Sequence, residues 1–153
     1  MTGRFAELAP KLITRLMHDF SLEAFQAAAP VGNMGRESGG FTELREIGAR
    51  PGQGGYGWCQ WTGPRAHLFL NWCRVHHLDW TSDEGNYTYL SHELHGSYAY
   101  VVQHLRATRT LHDAVVVFEK YYERAGVVAM ADRVQWAEQA LALWQKEQNN
   151  ATD

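Results

Sequence analysis

The sequence has no apolar run long enough to span a membrane. The longest reaches only from Ala114 to Phe118, against the roughly 20 residues that a spanning helix needs, so no membrane insertion is expected. Lysine and arginine, 14 together against 17 Asp and Glu, form no stripe or cluster, and the net charge is −3. That lacks the electrostatic footprint of a nucleic-acid binder. There are only two cysteines, Cys59 and Cys73, which fit no paired C-x-x-C zinc pattern. They are expected as semi-buried free thiols of a protein made in a reducing compartment, a disulfide being the alternative in an oxidising one. Of eight histidines only His76-His77 and His92-x-x-His95 lie close together. The second pair shares one helical face, but nothing nearby completes a third ligand, so no metal and no cofactor are expected. The N-terminus, Met1 to Glu7, lacks a basic segment followed by an apolar one, the mark of a signal peptide. A target outside the cytoplasm then calls for an export route or a holin-type partner.

What is present is a globular composition: 153 residues, 45% hydrophobic, with 6 Trp, 7 Tyr and 6 Phe. One domain over residues 1–147 is expected, with 148–153 as a short polar tail, and the protein is expected as a monomer. Apolar residues at Phe5, Leu8, Leu12, Ile13, Leu16, Met17 and Phe20 follow the rhythm of an amphipathic helix over Arg4–Phe20. Ser21 is the expected N-cap of a second helix ending near Gly32–Gly35, kinked or broken by Pro30. Nine of the fourteen glycines then fall between Gly35 and Gly63. This segment reads as loop with a small hairpin: Phe41–Ile47 outward, a turn over Gly48–Gly55, Tyr56–Trp61 back. Helical patterns resume at Gly63-Pro64 and run to His77, then over Asn86–Leu94, Ser97–Arg106, Thr110–Tyr122 and Met130–Lys146, with Thr110 and Asp113 as a variant capping box. The fold class expected is mainly α, interrupted once by a glycine-rich insert.

The insert is where chemistry is sought, because rigid scaffolds commonly present sites on loops. Glu37 stands where a helix meets the glycine-rich run Gly35–Gly40. Glycoside cleavage needs a carboxylic acid that protonates the leaving oxygen, and an apolar wall favours its neutral form. Tyr56, Trp58 and Trp61 are expected to supply that wall and to stack on sugars. Trp58 and Trp61 alternate along an extended segment, so one is expected toward the cleft and the other toward the core. Ser38, Gln60 and backbone amides are expected to bind sugar hydroxyls and N-acetyl groups. A second carboxylate belongs about 5–9.5 Å from the first, and Glu46 is the expected candidate, with Glu43 its rival. Glu123 and Arg124 are expected to form a structural ion pair or a capping contact.

GRESGGF at residues 35–41, followed by GGYGWCQWTGPR at residues 54–65, closely resembles the phage tail lysozyme family. More distantly the two elements are similar to lytic transglycosylases. The likeness continues through Tyr89–Leu94, through Phe118–Gly126, where Ala125 stands at a position commonly proline, and through Asp132–Ala137. It covers roughly Phe20 to Trp144. The resemblance implies a lysozyme-like (α+β) fold, a lysozyme-like catalytic domain over 1–147, and cleavage of the β-1,4 glycan strand of bacterial peptidoglycan. It places the acid on Glu37 and supporting or substrate-contacting roles on Ser38, Tyr56, Gln60, Trp61 and Glu93. For Glu93 a buried structural carboxylate is an equal alternative. A phage lytic enzyme is the expected function, as a free endolysin rather than a virion component. The alternatives are a transglycosylase giving 1,6-anhydro products, a non-catalytic wall-binding module, and a cleaver of chitin-like polymers.

Overall fold

A computed structural model of the protein describes residues 3–151. Met1 and Thr2, the start of the segment read for export, and Thr152 and Asp153, the end of the expected tail, lie outside the described residues. The helices in chain order are α1 Gly3–Phe20, α2 Ala24–Ser38, α3 Gly63–Val75, α4 Asp83–His95, α5 Ala99–Arg106, α6 Leu111–Phe118 and α7 Met130–Ala151. Helix α6 runs directly into a π-helical turn, Glu119–Glu123.

Helix α2 is the axis of the fold. Every residue from Gln26 to Gly35 is buried, which is the pattern of a helix covered on all sides. Helices α1, α6 and α7 pack around it. Helix α1 turns Phe5, Leu8, Leu12, Ile13, Leu16 and Phe20 inward, each worth about 1.5–3 kcal/mol when removed from water. The small residues of α2 let its neighbours come close. A methyl group on Gly32 would sit 2.5 Å from Ala137 Cβ and 2.6 Å from Ala137 Cα, so α7 rests on bare backbone there.

Helix α2 differs from the sequence pattern at both ends. Ser21 adopts a left-handed conformation, φ 54°, and caps nothing. Glu23 is the N-cap, its amide donating to Gln26 Oε1 at 3.0 Å. The helix then continues past Gly32 and Gly35 to Ser38 with Pro30 inside it. An internal proline costs about 3 kcal/mol, and burial on every side offsets it here. Thr110 does cap α6, accepting from the Asp113 amide at 3.1 Å. The pattern expected over Thr110–Tyr122 divides at Phe118, where α-helix gives way to the π turn. Helix α7 outlasts its pattern, so that residues 148–151 of the expected tail are helical.

The expected hairpin is not formed. Among the described residues the insert has two isolated antiparallel bridges, Arg45 with Tyr56 and Tyr56 with Trp61. Extended ladders cannot grow because left-handed residues interrupt both arms: Phe41 at φ 70°, Gly54 at 76°, Gly57 at 79° and Gln60 at 50°. Tyr56 and Trp61 exchange amide hydrogen bonds of 3.0 and 2.9 Å, so the presumed return strand folds back on itself.

Because Gly32 meets Ala137 backbone to backbone, Gly32→Ala is expected to destabilise by about 1–3 kcal/mol, the usual cost of overpacking. Urea unfolding followed by circular dichroism measures it, and an unchanged midpoint contradicts the packing argument.

Candidate active site

Glu37 lies on the last turn of α2. The helix ends just beyond it, where Gly39 turns left-handed at φ 57° and donates its amide to the Gly35 carbonyl. Ser38 is fully buried, its hydroxyl donating to Met34 O at 2.6 Å and accepting from the Phe41 amide at 2.8 Å. Ser38 therefore fastens the turn behind Glu37 and is not among the cleft-lining residues. The Glu37 side chain is 18% exposed, and its Oε1 accepts from Arg133 Nη2 at 2.6 Å.

Arg133, on the first turns of α7, is only 1% exposed. Its remaining donors reach Val128 O, at 2.6 Å from Nε, and Asn33 Oδ1, at 3.1 Å from Nη1. Asn33, also fully buried, donates in turn to Ala29 O and Val115 O. A buried guanidinium requires such complete satisfaction.

Glu37 and Arg133 open onto a cleft of about 330 Å³. One wall is the insert, through Glu46, Gly55, Cys59, Gln60 and Thr62. The other is the segment leaving the π turn, Glu123 to Val127, and Arg36 completes the floor. Arg36 Nε lies 3.1 Å from Asp132 Oδ2 as an ion pair, at an angle too poor for a hydrogen bond.

Of the residues singled out from sequence, Glu37, Glu46 and Gln60 meet in this cleft. Glu46 is exposed, its Oε2 accepting from the Gly55 amide at 3.2 Å. Gln60 Nε2 donates to Gly57 O at 2.9 Å. Glu43 stays exposed beside Gly39 and outside the lining. The aromatic residues go elsewhere. Trp58 meets Phe41 edge-on at 5.2 Å, and Trp61 packs on Phe69 at 4.5 Å, both buried in the core. The alternation that would turn one indole to the cleft fails because residues 56–61 form a tight turn. Tyr56 packs edge-on against Trp80 at 5.3 Å, with Arg45 over its ring. The cleft is therefore polar where the sequence suggested an aromatic wall.

Glu93 lies outside the cleft lining and 4% exposed. Arg65 binds it twice, Nη2 to Oε1 at 2.8 Å and Nε to Oε2 at 3.2 Å. Tyr89 donates to Oε2 at 3.0 Å and Tyr122 to Oε1 at 2.5 Å, while Trp61 donates to the Tyr122 hydroxyl at 3.1 Å. Burial, with Cys59 and Glu93 adding to it, pushes the Tyr122 phenol well above its usual range, which keeps it a donor. Burial opposes the charge on Arg65, but the hydrogen bonds it donates to Glu93, together with the neighbouring negative charge, outweigh burial and raise its pKa. This network ties α3, α4 and the π turn together behind the insert.

Among the cleft residues that escaped sequence reasoning as site members are Arg133, Glu123 and Arg124. Arg133 had a signal, since it shares an apolar face of α7 with Met130 and Ala137. Glu123 and Arg124 do not pair with each other. Arg124 meets the capping alternative: left-handed at φ 50°, it ends the π turn with its amide donating to the Glu119 carbonyl at 2.7 Å and its guanidinium donating to the Tyr100 hydroxyl at 2.7 Å, while Glu123 lines the cleft. The π turn makes this separation, because its i→i+5 bonding puts more residues in each turn and shifts the side-chain directions a continuing α-helix would give.

A family model described as phage tail lysozyme matches residues 8–144, across Glu37, the insert, the π turn and Arg133. The chain belongs to that family. Membership makes it a lysozyme-like cell-wall hydrolase, with peptidoglycan the implied substrate. No curated protein matches the chain. Among the described residues no helix is long and apolar enough to cross a membrane. No group of three or more His, Cys, Asp and Glu is placed there to hold a metal. His92 stacks on Trp72 at 4.4 Å, and His95 lies against Phe20 at 4.4 Å.

Cys59 and Cys73 are buried and not joined. Burial holds the Cys59 thiol well above its ordinary range, and burial with the Asp79 charge pushes Cys73 up to about 11. Thiol titration of unfolded, unreduced protein is expected to find two free groups, with a melting temperature indifferent to reductant. A protected pair, or a drop of several degrees on reduction, contradicts this. Glu93→Gln leaves Arg65 without its counter-charge and is expected to cost about 3 kcal/mol, as for other broken buried pairs. Measured well below the melt, its wall-cleaving rate should match wild type, and a selective loss of rate without loss of stability contradicts a structural role.

Proposed function

We propose that this protein cleaves the β-1,4 MurNAc–GlcNAc strand of bacterial peptidoglycan, with Glu37 delivering a proton to the glycosidic oxygen. The supporting observation is the placement of Glu37: a partly exposed carboxyl on the last turn of a buried helix, opening onto the cleft. A proton delivered from there lets the C1–O bond break with its electron pair leaving on oxygen. Arg133 stays in place to compensate the carboxylate that remains. Its own contacts to Asn33 and Val128 fix that charge before substrate arrives, which is the electrostatic preorganisation that catalysis needs. Gln60 and Glu46, on the facing wall, are assigned to sugar hydroxyls and N-acetyl groups. A phage lytic enzyme acting on the cell wall is the setting we assign to this activity.

Glu37→Gln removes the proton while keeping shape, and is expected to lower kcat by about 10²–10⁴-fold, the usual worth of a general acid. Mass spectrometry of digested peptidoglycan, with circular dichroism as the control for folding, tests it. Reducing-end muropeptides identify a hydrolase and 1,6-anhydro ends a transglycosylase. A wild-type protein that binds walls and releases neither product overturns the reading, as does a variant keeping more than about a tenth of the rate.

A further inference from the structure

Glu37 pairs with Arg133 at 2.6 Å, so in the resting cleft it is placed as an anion and needs a source for the proton it delivers. The same cleft holds a second carboxyl. Part of Glu123 reaches the surface, but its Oε1 is sealed from solvent and has no hydrogen-bond partner among the described residues. The groups facing it come from every neighbouring element: Glu37 on α2, Cys59 on the insert, Arg65 on α3 and Arg133 on α7. Both arginines are already engaged, Arg133 by Glu37, Asn33 and Val128, and Arg65 by Glu93 and the Tyr122 carbonyl. Glu123 thus lines the cleft, among the described residues, without an ion-pair partner of its own. The π turn delivers it there, and such turns recur at functional sites because they redirect a side chain at some cost in helix regularity.

We propose that Glu123 is the proton-carrying partner of Glu37, holding the proton of the resting cleft and recovering it at the end of each turnover. The inference rests on the glycosidase reading above. Burial pushes the Glu123 carboxyl well above the usual carboxylate range, and the charge of Glu37 adds to this, while Arg133, Arg65 and the Cys59 thiol pull the other way. Two neighbouring carboxyls in unlike environments are the usual arrangement for dividing acid and base roles. The cycle balances. Glu123 passes its proton to Glu37, and Glu37 gives it to the glycosidic oxygen as the C1–O bond breaks. Water then bonds to C1, and its surplus proton goes to the Glu123 carboxylate. One water is consumed, and the cleft returns to an anionic Glu37 and a neutral Glu123. In this scheme Glu123, rather than the exposed Glu46, is the second carboxyl.

The test uses the full-length protein with Glu123→Gln and Glu123→Asp. Glutamine matches the neutral acid in shape and polarity but cannot release a proton. If Glu123 only fills space, Glu123→Gln should turn over like wild type. If it carries the proton, kcat falls about 10²-fold or more with KM little changed, and aspartate restores part of the rate. Infrared difference spectra at neutral pH supply a readout besides activity: a protonated-carboxyl band in wild type and in Glu37→Gln, missing from Glu123→Gln. Stability follows the same proton. As pH rises from acid to neutral, the unfolded chain releases it and the folded cleft keeps it, so Glu123→Gln gains stability relative to wild type over that range. Glycan cleavage by wild type at a rate that Glu123→Gln matches overturns the role of Glu123 alone. Absence of the band at neutral pH overturns it whatever the rates. A wild type that cleaves no glycan overturns the functional reading and the turnover role together.

Discussion

A guanidinium buried to 1% exposure is the constraint around which the rest of this structure is arranged. Arg133 satisfies its donors through three groups from two parts of the chain: Glu37 at the end of α2, Asn33 one turn earlier on the same helix, and the Val128 carbonyl in the segment that closes the cleft. Removing any of them leaves donors stranded in a core that cannot hydrate them. The arginine therefore fixes the distance between α2 and α7 and the path of the chain over residues 124–129. The carboxyl that performs the proposed chemistry is thus also a strut of the fold.

The helical scaffold was legible in the sequence because one-sided apolar periodicity survives in α1, and because Thr110 carries its capping signal openly. The family was legible for a different reason: its glycine and aromatic spacings are local. The side chains facing the cleft were not. Trp58, Gln60 and Trp61 alternate on paper, yet two left-handed residues, Gly57 and Gln60, fold that segment into a turn and send both indoles inward. Arg133 and Glu123 meet Glu37 across about a hundred positions of chain, and pairing over such separations leaves no periodic trace. Asn33 and Arg133 did leave a faint one, as polar residues set into apolar helical faces.

The carboxyls around the site show how one residue type is given different tasks by its surroundings. Glu93 accepts four hydrogen bonds, two of them from a bidentate arginine, and with every lone pair occupied it serves as a structural anchor. Glu37 shares one oxygen with an arginine and keeps a face toward solvent. Glu46 projects from the rim, held by a single backbone amide. Glu123 is half-buried, with one oxygen sealed from solvent and, among the described residues, no ion-pair partner. Composition distinguishes none of these, whereas burial and the count of donors separate all four.

The two isolated bridges of the insert bear on how such a cleft can diversify. In a true hairpin, lengthening one arm by a single residue would turn every following side chain to the opposite face. Here the wall is held at single points, Arg45 to Tyr56 and Tyr56 to Trp61, with no continuous register between them. Residues can be gained or lost between Ile47 and Gln53 without reorienting Gln60 or disturbing the helices that hold Glu37. The rim of the cleft is free to change length one residue at a time, while the charged floor beneath it tolerates almost no change.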